Sequence, residues 1–171
     1  ILEDVTQRKI EEKTLIESQK RIESLINTID GIVWEANLET HESIFISKKV
    51  EDILGYTVEE WMSNPDYWLQ VLYSEDKERM VSYIKHLAPG NHQHVEEYRV
   101  YAKDGSLVWI RDIVTVIDEP NQPVKLRGIM IDVTNHKEAE AALDKSYTLV
   151  SEQNKRLLNF SYIVSHNLRS H

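Results

Sequence analysis

The chain contains no cysteine, and the side chains whose types and spacing most suggest chemistry are its histidines and carboxylates. That absence excludes disulfides, Cys-based zinc sites, a thiol nucleophile and any cysteinyl-flavin adduct. Among the seven histidines, His86 stands near an expected helix end, where an imidazole interacts well with the C-terminal dipole. His92 and His94 alternate with Glu96 and would share a face of a strand that began so early. Two imidazoles and a carboxylate can ligate a metal, but Gly90-Asn91 reads as loop, and Tyr98 and Val100 continue the same face. The trio is therefore read as structural or solvated, and no metal is assigned. His166 lies nine residues beyond Leu157, so at ~100° per residue it points ~180° from the stripe Leu157, Phe160, Val164 and Leu168. An outward histidine on a helix is most often a solvated side chain; it is also a nucleophile open to a large partner.

The elements that must position these groups follow from the pattern. Residues 1–29 hold no Gly or Pro, and Leu15, Ile22 and Ile29 recur at heptad spacing with Leu25 between them, which predicts a helix with one apolar edge suited to a two-stranded coiled coil. Ile32 to Trp34 and Ile44 to Ile46 predict two hairpin strands around the polar stretch 37–42. Short helices are expected over 49–55 and 57–62, and a longer one over 76–87 that stops at Pro89-Gly90. Three strands follow, over 95–102, 107–117 and 125–133, the first two joined by Lys103-Asp104-Gly105-Ser106, where Asp-Gly supplies a tight turn. This order gives an α+β domain, a five-stranded antiparallel sheet with short helices on one face. From Thr134 or Asn135 the chain is helical again, with Glu138 completing a capping box on Asn135. Leu143, Val150, Leu157 and Val164 form a second heptad seam, weakened by Ser146 and Gln153. The expected domains are a coiled-coil helix over 1–29, a globular domain over 30–134 and an exit helix over 135–171.

Several motifs in one order resemble the PAS family across about residues 22–134. Ile53-Leu54-Gly55-Tyr56-Thr57-Val58-Glu59-Glu60 resembles its helical entry motif, and Glu97-Tyr98-Arg99-Val100 with Lys103-Asp104-Gly105-Ser106 and Val108-Trp109-Ile110 resembles its paired strands. Gly128-Ile129-Met130-Ile131-Asp132-Val133-Thr134 resembles the last strand with its closing Asp-Val-Thr. Tyr73-Ser74-Glu75-Asp76 departs from the His-Pro-x-Asp of many relatives and keeps only the aspartate. The end of the chain, Phe160-Ser161-Tyr162-Ile163-Val164-Ser165-His166-Asn167-Leu168-Arg169-Ser170, resembles the phosphoacceptor box of sensor histidine kinases.

The resemblance implies that His166 accepts phosphate from ATP and passes it to a response-regulator aspartate. Asn167 stands where most relatives carry Glu or Asp as the base, Ser170 where many have Thr or Asn, and His171 where many have Pro. Asp132, Val133 and Thr134 are the expected signal relay into the exit helix. Trp34, His86, Tyr98, Trp109 and Met130 are the expected pocket residues. PAS relatives hold haem, flavin, small organic acids or metals, or no ligand; no cofactor is identifiable here, His86 being the candidate haem ligand. No Gly-rich ATP lid or Asp-x-Gly-x-Gly run occurs, so the kinase catalytic domain belongs elsewhere and this chain is expected to be inactive alone. The expected partners are a second copy through the flanking helices, that kinase domain and a receiver domain. A net charge of −9 disfavours nucleic acid and anionic lipid. No apolar run approaches the ~20 residues of a membrane span, and the missing start methionine suggests an internal piece of a longer protein, expected in the cytoplasm whether or not its parent is membrane-anchored. The alternative function is a ligand-free dimerisation or spacer module within such a kinase.

Overall fold

A computed structural model describes residues 2–87 and 93–169. His92, Pro89-Gly90, Ser170 and His171 lie outside the described residues. The chain divides into two compact units, one ending at Val133 and the other beginning at Thr134.

In the first unit, α1 (Leu2–Thr28) precedes β1 (Ile32–Asn37) and β2 (Ser43–Ile46), four helices, α2 (Lys49–Leu54), α3 (Val58–Met62), α4 (Tyr67–Val71) and α5 (Ser74–Lys85), and then β3 (Gln93–Tyr101), β4 (Leu107–Ile117) and β5 (Lys125–Asp132). The strands form one antiparallel sheet in the order β2-β1-β5-β4-β3. This is the expected α+β architecture. The turns are chemically specified. Asn37 accepts the amides of Glu39 and Thr40 at 2.8 and 3.0 Å in the β1–β2 turn, and Gly105 takes φ +86 in the β3–β4 turn beside Asp104, which accepts the Ser106 amide at 2.9 Å. Thr57 and Glu60 cap α3 reciprocally, and Glu60 also accepts Lys103 Nζ at 2.6 Å.

Strand alternation sorts the sheet into two faces. On β4, Val108, Ile110, Asp112, Val114 and Val116 are buried, whereas Trp109, Arg111, Ile113, Thr115 and Ile117 stand half-buried on the other face. The inner face packs with α2 to α5 around Ile32, Val50, Leu54, Met80, Tyr98, Val100 and Ile110. A smaller cluster of Leu87, Val114, Val116 and Leu126 fills the far end. Trp34 and Tyr83 pack against both clusters. At the β3 edge, Asp76 of α5 accepts three hydrogen bonds of 2.9 Å from the Arg99 backbone amide and guanidinium, and the Arg99 guanidinium lies 4.1 Å from the Tyr73 ring centroid.

α4 is an element that the sequence pattern does not predict. Five residues are too few for a helical period to register, and what holds α4 is tertiary: Tyr67 packs on Tyr56 and Trp61, and Trp68 on Tyr98.

The second unit is a single helix, α6 (Thr134–Arg169), ~54 Å long at 1.5 Å per residue. Leu143, Val150, Leu157 and Val164 along it are exposed, as are Leu15, Ile22, Leu25 and Ile29 on α1. Among the described residues no helix is long and apolar enough to cross a membrane.

Candidate functional site

Between the two clusters of the first unit lies a cavity of about 110 Å³. β1 contributes Trp34, β5 Met130 and Leu126, β4 Asp112 and Val114, and the helical side Trp61, Trp68, Leu69, Met80 and Tyr83. Its walls are almost wholly apolar, which makes its few polar groups conspicuous.

The central polar group is Asp112, 5% exposed. Trp34 Nε1 donates to Asp112 Oδ1 at 3.0 Å and the Tyr98 hydroxyl donates to Oδ2 at 2.8 Å. Trp68 Nε1 in turn donates to the Tyr98 oxygen at 3.1 Å. A chain of three aromatic donors thus orients one carboxyl, tying β1, β3, β4 and α4 together. Trp34 reaches this position because its cross-strand neighbour is Gly128: a Cβ there would lie 2.8 Å from the indole. Burial pushes the Asp112 carboxyl up to about 7, although both hydrogen bonds favour the ionised form. The fully buried Tyr98 phenol is raised well above its ordinary range, by burial first and the neighbouring Asp112 second. The Tyr83 hydroxyl is buried without a hydrogen-bond partner, and burial, then Glu96 and Asp112, push its pKa up to about 12. A buried hydroxyl left unpaired costs about 1–3 kcal/mol, so Tyr83 has capacity for a guest.

The structure separates the pocket residues expected from sequence. Trp34 and Met130 line the cavity. Tyr98 lies behind it and acts through Asp112. Trp109 does not line it: strand alternation puts it on the opposite face, where the Arg99 guanidinium lies 5.2 Å from its ring centroid. His86 is also outside, exposed at the end of α5 with Nδ1 2.6 Å from the Ser82 carbonyl oxygen. With its candidate ligand turned away, and with a volume well below the ~300 Å³ at which sites for drug-sized ligands begin, the cavity does not fit a haem. Asp112, Tyr83, Trp61 and Trp68 are missing from the sequence reading. A signal for Asp112 existed, since it is the one acid among the inward positions Val108, Ile110, Asp112, Val114 and Val116.

Of the residues expected to form the relay, Asp132 lies at the end of β5 opposite Ile110, the Val133 amide donates to the Trp109 carbonyl at 2.9 Å, and Thr134 is the first residue of α6. On α6, His166 is exposed, its ring centroid 6.3 Å from that of Tyr162, with Asn167 beside it in the same helix.

A five-stranded sheet of this order, helices over one face and a small polar-aromatic cavity between them define a PAS domain. The family profile described as the PAS fold matches residues 43–130, just over half of the chain, and the chain belongs to that family, whose members serve as sensor domains of signalling proteins. It is similar to the methyl sulfide methyltransferase-associated sensor of Methanosarcina acetivorans, at 27% identity over 144 residues, covering 80% of this chain and 14% of that protein. It is similar to the N-terminal domain of a diguanylate cyclase with PAS/PAC sensor from Marinobacter aquaeolei, at 29% identity and a TM-score of 0.56, covering 63% of this chain and 98% of that one. A sensory box histidine kinase/response regulator from Burkholderia thailandensis shares the fold at 21% identity and a TM-score of 0.60, over 77% of this chain and 98% of that one.

Proposed function

We propose that this chain is the sensing and relay segment of a two-component histidine kinase. In this reading the PAS domain controls phosphorylation of His166, which passes phosphate to a response regulator in the cytoplasm. The observation that carries it is the uninterrupted helix from Thr134 to Arg169, which begins directly after the last strand and holds an exposed His166 within the Phe160-to-Arg169 sequence frame. A ligand-dependent change in the sheet passes through Asp132, Val133 and Thr134 into α6 and alters the pitch or rotation of the helix that bears the imidazole. The exposed heptad residues of α1 and α6 support parallel homodimerisation, since such rows are stable when paired. The kinase catalytic domain and the receiver domain are separate parts. A ligand-free spacer is disfavoured by the cavity, because a spacer gains nothing from an unpaired buried hydroxyl and a buried acid. The full-length parent labelled with γ-phosphate-radiolabelled ATP tests the assignment. Label is expected to vanish in His166→Ala, and label retained by that variant would overturn it.

A further inference from the structure

Resting on the sensor reading, the geometry points to a ligand class: we propose that the cavity takes a small protonated primary amine, its ammonium group between Asp112 and Tyr83 and its apolar body among the tryptophans. Size sets the first bound. A dry cavity of about 150 Å³ admits benzene, so one of about 110 Å³ takes a guest of roughly four to five non-hydrogen atoms by simple proportion. Chemistry sets the second. Each Asp112 oxygen accepts one hydrogen bond within the protein and has a lone pair to spare. The Tyr83 hydroxyl has no partner. An ammonium with three donors can meet both groups, whereas a quaternary ammonium would leave Tyr83 unpaired and a carboxylate guest would face Asp112.

Charge sets the third bound. Among the described residues, the arginines near this sheet are engaged elsewhere, Arg99 with Asp76, Arg79 with Glu96, Arg111 with Glu97 and Arg127 with Glu35, and no side-chain cation pairs with Asp112. The two basic residues on the lining, His41 and Lys85, are exposed at its margin, where water screens them. Trp34, Trp61 and Trp68 supply aromatic walls that attract a cation more than aliphatic ones would. Burial disfavours the Asp112 charge, so an internal cation is the complement the site lacks.

The 171-residue chain is titrated at pH 8 with isobutylamine, isobutanol and isobutyrate, following calorimetric binding and the shift in Tm. The amine, protonated at this pH because alkylamines titrate near ~10.4, is expected to bind at least tenfold more tightly than the alcohol or the acid. Asp112→Asn is expected to lose at least tenfold in amine affinity and Tyr83→Phe several-fold; if the first does not fold, the second decides. Equal binding of the three probes, preference for isobutyrate, no binding of any probe, or amine affinity unchanged in the folded variants would overturn the proposal. None of these results depends on His166 labelling, so the ligand class and the kinase assignment fail separately.

Discussion

Replacing Asp112 with Asn removes the one buried carboxyl of the cavity, and its effect on stability has a calculable pH dependence. Burial raises the Asp112 pKa from its ordinary 3.8 to about 7. Because the folded-state value lies above the unfolded one, the unfolded chain gives up the proton first as pH rises. Stability is therefore fullest below about pH 4 and is lost progressively until the pH passes about 7. At 1.36 kcal/mol per pKa unit, the full span is about 4 kcal/mol, of which about 2.5 kcal/mol falls between pH 5 and pH 8. Asp112→Asn cannot ionise, so its stability relative to wild type is expected to improve by that amount over this interval. Any cost of turning the amide NH2 toward Trp34 or Tyr98 is a constant offset. Asp76, Glu60 and Asp104 have lowered pKa values, from hydrogen bonds to Arg99, Lys103 and Ser106 respectively; they contribute stability above their unfolded values and lose it near and below pH 4, outside this window. Urea unfolding of both proteins at pH 5, 6, 7 and 8 measures the difference, expected as a relative midpoint shift of roughly 1–2.5 M for m values of about 1–3 kcal/mol/M. Parallel pH profiles for the two proteins would refute the reasoning.

Four further outcomes are expected. Asp76→Ala leaves the Arg99 guanidinium, whose side chain is 21% exposed, without its main partner and costs about 3 kcal/mol in urea unfolding at pH 7, a loss that shrinks as pH falls below about 4. Gly128→Ala drives a methyl into the Trp34 indole, costing about 1–3 kcal/mol and changing the near-ultraviolet circular dichroism as the Trp34 to Asp112 bond is displaced. Thr57→Ala removes the α3 cap at about 1 kcal/mol, read as a lower Tm with unchanged amine binding. If His166 is the phosphoacceptor as proposed, Asn167→Glu in the full-length protein supplies a proton acceptor beside it and is expected to raise the rate of autophosphorylation at least tenfold; an unchanged rate would separate Asn167 from the chemistry.

The strands were legible in the sequence because their signals are local. Alternation over 107–117 and the Asp104-Gly105 turn specify a hairpin without reference to the rest of the chain. The long helix carrying His166 was legible for the same reason, its heptads and unbroken composition being readable along one line. The cavity was not, because it is made by distant residues. Trp34 and Asp112 are 78 positions apart and Trp68 and Tyr98 are 30 apart, and no periodicity reports such pairings. Trp109 was misplaced because aromatic character suggests burial without saying on which face, whereas the parity of β4 decides it. Asp112 follows from that same parity: an acid in phase with four buried valines and isoleucines must either be satisfied internally or mark a site.

Position in the sheet explains why a guest at Asp112 would matter beyond its pocket. Asp112 is paired across the β4–β5 ladder with Met130, and Ile110 with Asp132, so the cavity wall and the end of β5 are two residues apart on the same pair of strands. The Val133 amide extends that pairing to the Trp109 carbonyl, and Thr134 follows as the start of α6. Burial opposes the charge of this carboxyl, so its ionisation is sensitive to a cation placed beside it. Ionised beside a cation, it would accept charge-assisted hydrogen bonds from Trp34 and the Tyr98 hydroxyl. If the exit strand is the output, Asp112→Asn in the full-length parent holds autophosphorylation at one level whether or not isobutylamine is present, while wild type responds to it. A variant that still responds would locate the switch elsewhere in the fold.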